Sequence, residues 1–111
     1  MDLLNELQNL TKQLSNSLKQ LRTNGIKLAE AEKEYKIAVN KKALLLRSED
    51  MPVTLINQVI YGYEDIAQLR FLRDSAEVVY NANQEAINTL KLQIRIVENQ
   101  IKREYGSDLY N

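Results

Sequence analysis

The sequence has no cysteine, no histidine and no tryptophan, and only one proline and three glycines among its 111 residues. Without cysteine it can form neither disulfides nor thiolates, and a zinc site of the Cys/His type is excluded. The absence of histidine also removes the commonest general base and excludes a Ser-His-Asp arrangement. We therefore expect no metal, no cofactor and no enzymatic activity.

Two other common sources of chemistry are also missing. The three glycines are isolated, so they do not form a Gly-rich phosphate loop. A pair of carboxylates could be sought among Glu30, Glu32 and Glu34, but a spacing of two places neighbours on different sides of a helix. Glu30 and Glu34 do share a side, yet lysines surround them in the sequence. A solvated charged face is the favoured interpretation.

Long apolar runs and an excess of one charge are absent too. No apolar stretch reaches about 18 residues, so no membrane span is predicted. The first residues, "MDLLNELQNL", do not resemble a signal peptide. Lys plus Arg and Asp plus Glu both number 15, which removes the usual electrostatic reason to bind nucleic acid or an anionic membrane. We expect a cytoplasmic protein without a membrane partner.

What the sequence does contain is helix formers, with apolar residues at steps of three and four. Residues 2–47 are predicted to form one helix, with Asp2 as its cap and leucines at 3, 7, 10, 14, 18, 21 and 28. Residues 64–105 are predicted to form a second helix that ends at Gly106. The first helix could instead end at Asn24-Gly25. Continuity is favoured, because only then do the two helices match in length along an antiparallel pair.

Between these helices lies the segment "MPVTLINQVIYG", residues 51–62, which contains the only proline. Pro52 suits the first turn of a helix, and Gly62 suits a helix C-cap. A short amphipathic helix is therefore predicted at about residues 52–61. The predicted fold is all-α: a long antiparallel, coiled-coil-like helical hairpin with a short connecting helix, forming a single domain over residues 1–111.

The second long helix has apolar residues on two sides. Two rows with a spacing of seven form a heptad seam, in which Asn83 is the one polar a position. Asn83 could be buried and fix the register, or lie at a water-exposed rim. Because a helix that is apolar on two sides needs more than one neighbour, we expect a homo-oligomer, a dimer or larger bundle. The residues predicted at this oligomer or partner interface are Leu72, Val79, Tyr80, Asn83, Ile87, Leu90, Ile94, Val97 and Ile101.

Two further groups are candidates for partner binding. At the turn stand Met51, Ile60, Tyr61 and Tyr63, which could be exposed anchors for a partner or could pack over the end of the bundle; packing is favoured. A basic group in the first helix could meet a phosphate backbone. The favoured alternative for this group is ordinary i,i+4 ion pairing along a soluble helix. Its members are Lys33, Lys36, Lys41, Lys42 and Arg47.

Two blocks of the sequence resemble a group of known proteins. They are "AEAEKEYKIAVNKKALLLRSEDMPVTLINQVIYG" and "VVYNANQEAINTLKLQIRIVENQIKREYG". They resemble small helical early proteins of tailed phages and prophages of low-GC Gram-positive bacteria, whose genes typically lie near those for single-strand binding and recombination. The resemblance covers about residues 26–106. It implies a viral early protein in the host cytoplasm with no agreed activity, and it brings no catalytic or binding residues.

Two functions are consistent with these features. The first is a non-enzymatic helical interaction or scaffold protein that modulates a host or phage factor through protein–protein contacts. The alternative is an accessory of phage DNA replication or recombination that contacts single-stranded DNA through the basic part of the first helix.

Overall fold

The fold is described from a computed structural model, in which the backbone of residues 2–110 and the side chains of residues 2–106 are described. Every element in this part of the chain is helical, and no strand occurs in it. This confirms the predicted all-α helical hairpin. In chain order the elements are helix α1 (Leu3–Ser48), helix α2 (Val53–Val59), a 3₁₀ turn (Ile60–Gly62) and helix α3 (Glu64–Tyr110).

The chain groups into two compact units. One, the turn unit, is Asn24–Tyr80 and contains the whole connection between α1 and α3. The other, the terminal unit, combines Met1–Thr23 with Asn81–Asn111. In each unit a segment of α1 packs beside a segment of α3. The single domain expected over residues 1–111 stays a prediction, and each unit is described by itself.

Helix α1 begins at a side-chain cap and is not interrupted at its glycine. The carboxylate of Asp2 accepts hydrogen bonds from the backbone N–H of Leu4 at 3.0 Å and of Asn5 at 3.4 Å. The helix then continues through Asn24 and Gly25, as predicted. A side chain at Gly25 would place its Cβ only 3.3 Å from the ring of Tyr80. Glycine at this position therefore lets the Tyr80 ring pack against the α1 backbone.

The C-terminus of α1 is closed by Asp50, which has a left-handed backbone with φ of 64°. The N–H of Met51 donates to the carbonyl of Leu46, and the N–H of Asp50 donates to the carbonyl of Arg47, both at 3.0 Å. These two bonds form a Schellman motif, in which glycine is the usual left-handed residue. Met51 also packs against the apolar cluster that contains Leu46, in keeping with the apolar contact that commonly accompanies this motif. This role of Asp50 was not predicted from the sequence.

The connecting segment differs in detail from the predicted helix at 52–61. Pro52 is extended, with φ −61° and ψ 144°, and precedes α2 as its N-cap residue. Gly62 closes the 3₁₀ turn with a negative φ, so it is not a left-handed cap. The connection is closed from inside by a core of Leu46, Ile56 and Ile60. The tight 3₁₀ turn places Ile60 in this core, 3 % exposed.

Helix α3 is longer than predicted. It does not end at Gly106 but continues to Tyr110, so the predicted boundary at residue 105 is wrong. Glycine ends a helix when it takes a left-handed backbone, but no glycine in the described chain has a positive φ. Gly106 therefore keeps the helical conformation, at the cost of about 1 kcal/mol that glycine carries relative to alanine within a helix.

Candidate protein-interaction surfaces

Asn83 lies inside the seam of the terminal unit and is 8 % exposed. Its side-chain Nδ2 donates a hydrogen bond to the backbone carbonyl of Ser17, at 3.2 Å. Of the two alternatives left open by the sequence, the structure therefore shows the buried one. A buried amide that reaches a carbonyl on the facing helix favours one register, because any other register would leave the amide without this bond.

The seam contains much of the predicted interface. Ile87, Leu90 and Val97 are buried along the same seam as Asn83, and Ile94 and Ile101 are half-buried in the same unit. These residues pack between α3 and the N-terminal segment of α1, so the chain itself covers them. Tyr80 is half-buried against Gly25 in the turn unit. Of the nine predicted interface residues, Leu72 and Val79 are the two that are exposed.

Leu72 and Val79 belong to a larger exposed apolar surface on α3. Phe71 is 63 % exposed, Leu72 47 %, Val78 67 % and Val79 52 %. At about 100° per residue, Phe71 and Val78 lie roughly 140° and 120° around α3 from the buried Ile66. We call these four residues the α3 outer face. Phe71 and Val78 were not predicted from the sequence. Their spacing of seven residues could have identified them, because it repeats the spacing of the adjacent Leu72 and Val79.

Helix α1 has a corresponding surface in the turn unit. Ile37 is 47 % exposed, Leu44 66 % and Leu45 51 %, while Tyr35 and Leu46 on the other side of the helix are buried. We call Ile37, Leu44 and Leu45 the α1 outer face. Both long helices of the turn unit therefore have apolar side chains that no other part of the unit covers.

Most of the residues predicted at the turn pack within the protein itself. Ile60 is buried, and Met51 and Tyr63 pack against the core at the connection. Tyr61 is the exposed member at 48 %, with the guanidinium of Arg70 over its ring at 5.5 Å from the centroid. Three of these four residues thus take the packing role that the sequence favoured.

Lys42 connects the two long helices beside the turn. Its ammonium lies 2.9 Å from the carboxylate of Asp65 and 4.8 Å from the ring centroid of Tyr63. The hydrogen bond from Lys42 is the main reason that the pKa of Asp65 lies below its ordinary value, and a bond from the N–H of Ile66 adds to it. Because Lys42 is only 18 % exposed and already has two partners, it is a structural contact and is poorly placed for a phosphate.

The other members of the predicted basic group are exposed on α1. Lys33, Lys36 and Arg47 lie on one side of the helix, within about 60° of one another, and Lys41 lies on the neighbouring side. Tyr35 is buried, with the guanidinium of Arg73 over its ring at 4.8 Å. This ring is therefore covered and could not stack on a base.

A strip of charges follows the α3 outer face. It contains, in order, Arg70, Arg73, Asp74 and Glu77. The Arg73 guanidinium lies 2.7 Å from the carboxylate of Asp74, and this contact is the main reason that the pKa of Arg73 is raised. The strip is basic at its N-terminal end, acidic at its C-terminal end and neutral in sum.

Comparison with protein-family models, with curated proteins and with solved structures finds no match. Within residues 2–106 there is no group of three or more acidic, His or Cys side chains that could hold a metal ion. In the same part of the chain, none of the helices combines the length and the apolar character needed to cross a membrane.

Proposed function

We propose that this protein is a non-enzymatic helical interaction or scaffold protein that acts through protein–protein contacts. The observation that carries the proposal is the pair of apolar outer faces in the turn unit. Four large apolar side chains on α3 and three on α1 are between 47 % and 67 % exposed, although α1 and α3 already pack together on their other sides. Contiguous exposed apolar surface of this kind marks sites of protein association.

The energetics also favour a partner. Burying a Leu, Val or Phe side chain from water contributes about 1.5–3 kcal/mol when burial is complete, and each of these side chains has about half of its surface still to bury. Covering one outer face would thus supply several kcal/mol before the costs of association are subtracted. The resemblance to early proteins of tailed phages supports a partner among host or phage factors in the host cytoplasm.

The test compares wild type with one double variant for each face. Phe71→Glu with Val78→Glu places charges on the α3 outer face, and Ile37→Glu with Leu44→Glu does so on the α1 outer face. Asn88→Glu, at an exposed polar position of α3, is the control for an added surface charge. We expect at least one of the two double variants to lose proteins that wild type and the control capture from host lysate. If both double variants capture the same proteins as wild type, the proposal fails.

Single-stranded DNA is the second candidate partner, supported by the exposed Lys33, Lys36 and Arg47 on one side of α1. A DNA contact made through phosphates should weaken steeply as salt rises. Titration of a labelled oligonucleotide at low and high salt, with Lys33→Glu and Lys36→Glu as variants, measures this. Absence of binding at low salt would remove this candidate. A Lys42→Glu variant is unsuitable here, because it also breaks the ion pair with Asp65.

A further inference from the structure

We propose that the α3 outer face is covered by the same face of a second copy, with the two α3 helices antiparallel about a two-fold axis between Asp74 and Ser75. This inference rests on the proposed function and names the occupant of one of its two surfaces. The partner is another molecule of this chain, and the α1 outer face stays open in the resulting dimer.

The apolar residues of this face repeat at a spacing of seven, which makes it self-complementary. Phe71 and Val78 form one row, and Leu72 and Val79 form a second row about 100° further around the helix. An antiparallel copy centred between residues 74 and 75 places Phe71 opposite Val78 of the second copy. It also places Leu72 within about 3 Å, along the axis, of Val79 of the second copy. Each apolar residue therefore meets an apolar residue, as an isologous contact requires.

The charge strip decides the orientation. Arg70 and Glu77 lie about 100° to the other side of the Phe71 and Val78 row, while Asp74 lies nearer to that row and Arg73 further from it. In an antiparallel pair the basic half of one strip lies beside the acidic half of the other, so Arg70 faces Glu77 of the second copy. A parallel two-fold pair would instead set the charged strip of one copy beside the Leu72 and Val79 row of the other, so the charges would meet no opposite charge.

The residues at the two-fold axis allow close approach. Ser75 is small and half-buried, so two helices can come together over it. Asp74 meets its own copy there, but its carboxylate is already paired with Arg73 at 2.7 Å, which offsets the repulsion between the two carboxylates. Arg70 is held over the ring of Tyr61, so little side-chain freedom remains to be lost when it meets Glu77 of the second copy.

The first test reverses charges. Arg70→Glu sets acid against acid twice in the dimer, and Glu77→Arg sets base against base twice. Sedimentation equilibrium should show that each variant dimerises at least about tenfold more weakly than wild type, the change that corresponds to 1.4 kcal/mol. An equal mixture of the two variants should recover dimers, because both contacts between positions 70 and 77 then join opposite charges. Arg95→Glu, an exposed charge reversal in the terminal unit, should dimerise as wild type does.

The second test determines the orientation of the two α3 helices by disulfide cross-linking. Because the chain has no cysteine of its own, only introduced cysteines can form the cross-link. Ser75→Cys should form a disulfide-linked dimer under mild oxidation, because residue 75 lies beside the axis. Phe71→Cys alone should not cross-link, whereas a mixture of Phe71→Cys and Val78→Cys should. Self-linkage of Phe71→Cys without linkage of Ser75→Cys would indicate a parallel pair and overturn the inference.

The two proposals can fail separately. If wild type sediments as a monomer from micromolar to millimolar concentration, the self-contact is wrong. Capture of host proteins that depends on Ile37 and Leu44 would then still support an interaction role. If wild type dimerises but neither charge reversal weakens the dimer, the copies meet through another surface, and this assignment of the α3 outer face is overturned.

Discussion

The turn unit and the terminal unit pair the same two helices but hold them together in different ways. In the turn unit, α2 and the 3₁₀ turn add Ile56 and Ile60 to the apolar core, and the same unit contains cation–π contacts and an ion pair. The terminal unit has only its two helix segments, whose seam contains Ile87, Leu90 and the buried amide of Asn83. A third element thus gives the turn unit a more closed core, whereas the seam of the terminal unit includes a buried polar contact that favours one register.

The largest expected effect is on the core of the turn unit. Ile66 is 1 % exposed, the most buried large side chain in the described chain. Ile66→Ala should lower the free energy of unfolding by about 2–4 kcal/mol, because it removes buried methyl groups and leaves a cavity. Urea denaturation measures the change. Leu92→Ala, at a 54 % exposed position of the terminal unit, is the control and should change stability by less than about 0.5 kcal/mol.

The next effect tests the terminal unit. Asn83→Ala removes the hydrogen bond to Ser17 and should cost about 1–2 kcal/mol. Hydrogen exchange should show faster opening of residues 81–100, while the amides near Ile56 and Ile60 keep their protection. Equal loss of protection in both units would show that they open together, and that the contact of Asn83 does not stabilise the terminal unit separately. Asn83→Leu is the variant to compare with Asn83→Ala. It should recover the lost stability, because leucine fills the seam, but it should no longer favour one register between α1 and α3.

A smaller change of opposite sign is expected at the turn. Asp50 has a φ of 64°, a left-handed conformation that costs non-glycine residues about 1 kcal/mol. Asp50→Gly should therefore raise the midpoint of chemical denaturation by an amount that corresponds to about 0.5–1 kcal/mol. Asp50→Val should lower it, because a β-branched residue fits this conformation poorly. If glycine at position 50 is no better than aspartate, the Schellman motif does not limit the stability of the turn unit.

The smallest effect concerns pH. Because the pKa of Asp65 is lowered in the folded protein, its ion pair with Lys42 stabilises the fold above the pKa of an unfolded aspartate, about 3.9. That contribution is lost as the pH falls through the lower, folded pKa. Wild type should thus exceed Asp65→Asn in stability near pH 7, and the difference should shrink below about pH 4. Thermal denaturation of both proteins at pH values from about 7 to below about 4 measures this difference. A difference that grows in acid would contradict the ion pair between Lys42 and Asp65.

Much of the fold could be predicted from local pattern. The steps of three and four defined the two long helices, and the single proline marked the position of the connection. The heptad rows located Asn83 in the seam. Gly25 was correctly interpreted as lying within a continuous helix on the basis of length, whereas the reason for a glycine there, the ring of Tyr80, lies 55 residues further along the chain.

The candidate surfaces could be predicted only in part. Apolar periodicity fixes the angle of each side chain around its helix, but it does not say which side the neighbouring helix covers. For this reason, Ile87, Leu90 and Val97 were expected at a partner interface, while the exposed pair Phe71 and Val78 was missed. The predictions that Gly62 and Gly106 end helices depended on a backbone conformation that the sequence does not fix. Gly62 and Gly106 can take a left-handed backbone but need not, and Asp50 takes it instead.

The sequence by itself determined that this chain is all-α, where its helices lie and where it turns, because helix propensity and periodicity act between near neighbours. Only the tertiary structure decided which apolar rows are covered, that Lys42 reaches Asp65, and that Asn83 reaches Ser17. These depend on the register between two helices, which is set by how the turn packs and by contacts between residues far apart in the chain. The surfaces left open by that register are the basis of the function proposed for this protein.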